Sequence, residues 1–184
     1  MVVGLGNPGA EYDGTRHNAG LDCVSHIAAE RGVNLRSAMG KALWGQTRIG
    51  EKLLALGIPG VFMNLSGESV APLVRRYGIE SLENLVIIHD ELDLPTGSIQ
   101  VKLGGGLAGH NGLKSIKHHL RDDGFARIRI GIDRPDGRQP VSDYVLRCPT
   151  GDQRELLDAG IARAAECVED ILMHGLTTAM NRYN

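Results

Sequence analysis

The run LVIIH (85–89) leads straight into DELD (90–93). A short apolar stretch without alternation predicts a strand buried on both faces, the kind found in parallel sheets covered by helices on each side. It also puts Asp90, Glu91 and Asp93 where a buried strand emerges. Other strands are predicted at VVGL (2–5), and at 43–49 and 52–57 with a turn at Gly50. IQVKL (99–103) alternates with Ile99, Val101 and Leu103 on one side. ARIRIGI (126–132) alternates with Ile128, Ile130 and Ile132 inward and Arg127 and Arg129 outward.

Helical spacing links Leu21, Val24, Ile27 and Ala28, and Gly32 stops that helix. Ser66 is placed to cap a second helix, in which Val70, Leu73, Val74 and Tyr77 share a face before Gly78. A short helix follows GGGLAGHNG, and a long one starts at Thr150, which forms a capping box with Gln153. Its stripe is Leu157, Ile161, Ala164, Val168 and Ile171. With no repeat or linker, the pattern predicts one α/β domain over 1–184, a mixed central sheet flanked by helices.

No apolar run approaches the roughly 18 residues of a membrane span, and no basic segment precedes a hydrophobic one, so a cytoplasmic protein is expected. Cys23, Cys148 and Cys167 lack any CxxC spacing. That argues against a disulfide framework or zinc site and predicts reduced, buried thiols. The net charge of -2 gives no sign of a polyanionic partner. Residues 97–147, however, carry nine Lys/Arg against five Asp/Glu, a local basic excess suited to phosphate contacts.

GLGNPG (4–9) matches the dinucleotide pattern G-x-G-x-x-G. In a cofactor loop the third glycine opens a helix and an acidic residue about 20 positions on meets the ribose. Here AEYDG follows Gly9, the credible helix begins near Ala19, and Glu30 lies on the back of that helix. The context fails twice, and the nucleotide-cofactor reading falls with it.

Polar residues instead gather after strand ends: Asn7, Tyr12, Arg16, His17 and Asn18; Asn64 in FMNLSG; His89 to Asp93; His110 and Asn111. Three chemistries compete for them. Metal hydrolysis lacks HExxH or any compact His/Asp spacing, and nucleophilic catalysis lacks a GxSxG or Cys/His signature. A His–Asp pair activating water, with asparagine amides orienting substrate, fits the residue types present. The residues by themselves do not decide among the three.

GLGNPGAEYDGTRHNAG, FMNLSG, HDELDLP with KLGGG, GHNGLKSI, RIRIGIDRP and the terminal NR together resemble the bacterial peptidyl-tRNA hydrolase family, in order and across the whole chain. The resemblance implies a single-domain, monomeric α/β enzyme that needs no cofactor or metal. Its expected reaction is hydrolysis of the ester joining a peptide to the 3′-terminal ribose of tRNA. It also implies roles for individual residues. His17 is the expected base and Asp90 its supporting carboxylate, and Asn7 helps distinguish blocked from free aminoacyl ends. Asn64 and Asn111 position substrate, Tyr12 and Phe62 line the site, and Lys102 and Arg129 hold tRNA phosphates. Lys114, Lys117 and Arg121 lie close by in sequence, and the helix opened by Asn111 offers its N-terminal NH groups to a phosphate.

Leu107-Ala108 departs from the usual pattern, in which His, Ser or Glu precedes Gly. The short basic tail of many relatives is also absent. The rival from another class is a non-catalytic RNA-binding protein on the same scaffold. The retained Asn7, His17, Asp90 and Asn111 speak against it.

Overall fold

A computed structural model describes residues 1–38 and 41–184. In chain order the elements are β1 (Val2–Gly4), α1 (Ala19–Glu30), β2 (Arg36–Ala38), β3 (Ala42–Ile49), β4 (Lys52–Pro59), α2 (Ser66–Arg76), β5 (Val86–Glu91), β6 (Ile99–Leu103), α3 (Asn111–Leu120), β7 (Ala126–Gly131), α4 (Val141–Val145), α5 (Asp152–His174) and α6 (Leu176–Tyr183). The strands form one sheet in the order β2-β3-β4-β1-β5-β7-β6. β4, β1, β5 and β7 run parallel, while β2–β3–β4 and β7–β6 pair antiparallel at the two edges. This is the mixed sheet expected from the sequence.

Every residue of β5 is buried, as its unbroken apolar run requires. Successive residues alternate between two cores. Val86 and Ile88 join the cluster formed with α1 and α5, whereas Leu85 and Ile87 join Val70, Leu113 and Ile116 from α2 and α3. β1 divides in the same way, with Val2 in the first cluster and Val3 in the second. After β1 the chain crosses to β4 on one side, then returns past β1 to β5 on the other. The reversal opens a crevice beyond the carboxyl ends of β1 and β5, where sheets of this kind place their sites.

α1 reaches that crevice because two glycines let backbones touch. A Cβ on Gly4 would lie 2.0 Å from the Gly20 carbonyl oxygen, and one on Gly20 would lie 2.2 Å from the Ile88 carbonyl oxygen. The 3-10 turn Arg16–Asn18, immediately before α1, is thereby set against the end of β5. No helix follows Gly9 directly, only a 3-10 turn at Ala10–Tyr12, so the glycine loop lacks the helix terminus of a dinucleotide site.

Several local expectations are corrected. Ser66 is the first residue of α2 rather than its cap, and its hydroxyl donates to the carbonyl of Met63, the first residue of the preceding 3-10 turn Met63–Leu65. Thr150 and Gln153 form no capping box: Gly151 precedes α5, and the Gln153 amide oxygen accepts from Arg16 instead. Leu103 is exposed at the end of edge strand β6. Arg127 and Arg129 do not point to open solvent: loop 104–106 covers Arg127, and Glu91 and Gln100 hold Arg129. Arg127 is fully buried and donates to the carbonyls of Gly104 and Gly106. Cys23 and Cys167 are buried, but Cys148 is exposed. Short elements β2, α4 and α6 carry too little periodicity to be read from sequence. At the β6 edge the Asn184 side chain pairs with both the N–H and the carbonyl of Val101, satisfying groups that an edge strand leaves open.

Gly20→Ala should destabilise the fold by about 2 kcal/mol or more, because the new methyl meets a backbone carbonyl that cannot rotate away. Urea unfolding measures this; a midpoint equal to that of the parent would show that α1 has slack against the sheet.

Candidate active site

Asp90 is buried at the end of β5 and presents one oxygen, Oδ1, to two histidines. His17 Nδ1 lies 2.9 Å from it and His110 Nε2 lies 3.1 Å from it. Burial alone would raise the Asp90 pKa, but the two imidazoles outweigh it and hold the carboxyl well below the usual range. Burial likewise opposes a charge on His17, yet the Asp90 charge and hydrogen bond prevail and its pKa is raised.

These contacts fix the tautomers. Toward an ionised Asp90, His17 Nδ1 must be the N–H donor, so a neutral His17 keeps its lone pair on Nε2. His110 is different: its Nδ1 accepts from the backbone N–H groups of Gly112 and Leu113 as the N-cap of α3, and its Nε2–H faces Asp90. Both of its ring nitrogens are occupied. Its cap also takes up N–H groups that the sequence reading offered to a phosphate.

A third histidine, His89, is buried beneath His110 with ring centroids 5.0 Å apart. Its Nδ1 donates to the Asp90 carbonyl, while Nε2 is buried without a partner among the described residues. Burial, reinforced by His110, lowers its pKa to about 3. Of the three imidazoles, only that of His17 combines a free ring nitrogen with an opening to the clefts.

His17 stands between two clefts. One, of about 340 Å³, has His17, Asp90 and His110 in its lining and reaches Ala108 and Arg134. The other, of about 360 Å³, is bordered by Asn7, Phe62, Asn64 and Asn111. Asn111, Ser142 and Val145 border both. The Asn7 side-chain oxygen accepts from Met63 N–H at 2.7 Å, so Nδ2 is the group that Asn7 can offer to a ligand. Asn18 braces the loop by bonding both the N–H and the carbonyl of Asn7. Tyr12 meets the exposed Phe62 edge to face at 6.2 Å.

The family model described as peptidyl-tRNA hydrolase matches residues 1–184. A peptidyl-tRNA hydrolase from Alkaliphilus metalliredigens is 43% identical over 184 residues, covering 100% of this chain and 98% of that protein. The chain belongs to the peptidyl-tRNA hydrolase family. Another relative, from Geobacillus thermodenitrificans, is 44% identical with the same coverage. The crystal structure of peptidyl-tRNA hydrolase from Acinetobacter baumannii superposes with a TM-score of 0.93 at 39% identity, covering 100% of this chain and 93% of that one.

Within this member of the peptidyl-tRNA hydrolase family, the sequence-derived residues divide by location. Asn7, His17, Phe62, Asn64, Asp90 and Asn111 converge on the two clefts, with Tyr12 against Phe62. Lys102 and Arg129 are not among the cleft-lining residues. Arg129 is held by Glu91 and Gln100, and Lys102 lies beside Gly105. Lys117 is paired with Asp123. His110 was visible only as a polar residue beside Asn111; its place on Asp90 depends on a fold that no spacing encodes.

The ring nitrogens of His17 and His110 and an Asp90 oxygen lie within 4.8 Å of one another, a cluster drawn from three separate segments. Both histidines are already hydrogen-bonded to Asp90, so charge-assisted bonds account for the cluster's geometry. Arg16, buried and without a carboxylate partner among the described residues, ties the His17 turn to the segment 144–153. It donates to the Arg147 carbonyl and Gln153 and stacks 4.2 Å from the Tyr144 ring centroid.

His89 generates a stability prediction. The folded state resists protonating it until about pH 3, whereas its ordinary value is 6.5. Between those values the unfolded chain binds the extra proton, so this group's contribution to stability falls as pH falls, by up to about 1.4 kcal/mol per pH unit. Urea unfolding of His89→Gln against the parent from pH 7 to 4 should show the difference narrowing or reversing toward acid. A pH-independent difference would mean that His89 protonates without penalty.

Proposed function

We propose that this enzyme hydrolyses the ester between a peptide, or an N-blocked aminoacyl group, and the 3′-terminal ribose of tRNA, with His17 as general base. The observation that carries the assignment is the free Nε2 of His17 beside two histidines whose nitrogens are engaged or buried. Nε2 takes a proton from water as the oxygen attacks the ester carbonyl. Asp90 stabilises the imidazolium that results. As the tetrahedral intermediate collapses, the same imidazolium returns the proton to the departing ribose oxygen. Asp90 and His17 do this work without a metal or cofactor.

The Nδ2 donor of Asn7 suits the carbonyl of an N-blocked aminoacyl group, whereas a free α-ammonium presents only donors. Asn64 and Asn111 orient the acyl group and the ribose across His17, while Phe62 and Tyr12 supply apolar surface. Lys102 and Arg129 act further out, through the phosphate backbone of the tRNA. The enzyme works as a monomer in the cytoplasm, recycling tRNA from prematurely released peptidyl-tRNA. Among the described residues no helix is long and apolar enough to cross a membrane. The rival reading, a non-catalytic RNA binder, would have no use for a histidine held with an open lone pair.

Release of N-acetyl-aminoacyl groups from tRNA, with free aminoacyl-tRNA as the control, tests the assignment. Binding without release would favour the RNA-binder reading. His17→Ala should cost about 10²- to 10⁴-fold in kcat while the chain still folds cooperatively in urea titrations, since His110 still pairs with Asp90. Near-parental turnover would sink the role of His17.

The pH profile gives a second check. The base must be neutral and its pKa is raised above 6.5, so kcat/KM should rise with pH through a value above 6.5. Asp90→Asn should lower the rate and move that limb toward acid, because the charge favouring the imidazolium is gone. An unmoved limb would assign the titration to another group.

A further inference from the structure

We propose that Arg134 binds a phosphate of the single-stranded 3′ end of the tRNA, and that Asp93 holds its guanidinium in reserve until substrate arrives. The inference rests on the ester-hydrolase reading above and extends it to substrate recognition. Among the described residues lining the two clefts, Arg134 is the one Lys or Arg. The cleft it borders also contains His17, Asp90 and His110, so a cation there lies beside the reacting ester rather than on a remote face.

The acidic groups of that cleft are already committed. Asp90 is held by His17 and His110, and Glu91 by Arg129. Asp93 is the partner of Arg134, but through a single oxygen: Nε and Nη2 lie 2.8 and 2.6 Å from Oδ1. Both side chains are well exposed, at 65% and 46%, and pairs of that kind contribute little in water. A phosphate accepts the guanidinium fork through two oxygens and releases a condensed counterion on binding, so it can displace Asp93.

The backbones under the pair are pinned while the side chains are free. Asp133 accepts from both the N–H and the hydroxyl of Thr96, and its own N–H donates to the Leu94 carbonyl. These bonds tie the start of the Arg134 loop to the β5–β6 turn that carries Asp93. Only the guanidinium has to move. Asp133 and Asp136 border a second hollow that Arg134 also lines, but the guanidinium bonds Asp93.

Steady-state release of N-acetyl-aminoacyl groups from tRNA at several salt concentrations tests the proposal, using Arg134→Ala, Asp93→Asn and the double variant. Arg134→Ala should raise KM about 3- to 10-fold and reduce the slope of log KM against log salt by about 1. Asp93→Asn should lower KM in the parent, by freeing the cation, and leave it unmoved once Arg134 is gone. Parental KM and salt slope in Arg134→Ala would overturn the proposal. So would an Asp93→Asn effect of the same size in both backgrounds, which would mean that Asp93 acts independently of Arg134. A parent protein that releases no acyl group would instead refute the ester-hydrolase reading itself.

Discussion

One oxygen of one carboxylate organises the floor of the cleft. Asp90 emerges from a strand buried on both faces, where an unpaired charge is costly, and two imidazole N–H groups on the same Oδ1 make that charge tolerable. The two donors arrive by different routes, His17 through the turn ahead of α1 and His110 as the cap of α3. Their pairing with Asp90 therefore welds an element from each side of the sheet to β5. His110 is saturated by this task, and His17 keeps one nitrogen free. The same arrangement that neutralises a buried charge also separates a histidine with both ring nitrogens engaged from one whose Nε2 faces the clefts.

The second constraint is distance between backbones. Asp90 and His17 meet only because α1 approaches β1 and β5 more closely than any side chain would allow, at Gly4 and Gly20. The glycines of the opening loop and helix thus act through packing rather than around a pyrophosphate. Further along, loop 104–110 makes the opposite choice. Ala108 adopts φ +47, a left-handed conformation that costs an L-residue about 1–2 kcal/mol, while Leu107 packs on the second core cluster. Apolar burial at Leu107 and the Arg127 bonds to Gly104 and Gly106 hold a loop whose backbone is strained.

Much of this was legible in the sequence. The unbroken LVIIH run announced a doubly covered strand, and the polar residues after strand ends pointed to the edge where the two clefts lie. What failed shares a physical cause. Alternation in ARIRIGI suggested outward arginines, but alternation reports only which face a side chain occupies; on that face loop 104–106 covers Arg127, and Glu91 and Gln100 hold Arg129. Spacing around Thr150 suggested a cap, yet Gln153 is drawn away by Arg16 from a distant segment. The His17–Asp90 partnership came from resemblance, since 73 positions separate the two and no local pattern joins them. Arg134 and His110 escaped for the same reason: their significance lies in what folds next to them.

The strand order also has a temporal side. β1 is the first strand of the chain, yet it lies between β4 and β5. Its partners begin about 50 and 80 residues further on, and β5 in turn needs β7. Such pairings pay their loop-closure entropy before any contact is gained, which slows the assembly of sheets like this one. A chain emerging from its N-terminus displays His17 long before Asp90 exists to hold it, and α3 must follow before His110 can share the load. Until the segment through Arg147 has arrived, the cleft lacks a wall. His17 is made early and paired late.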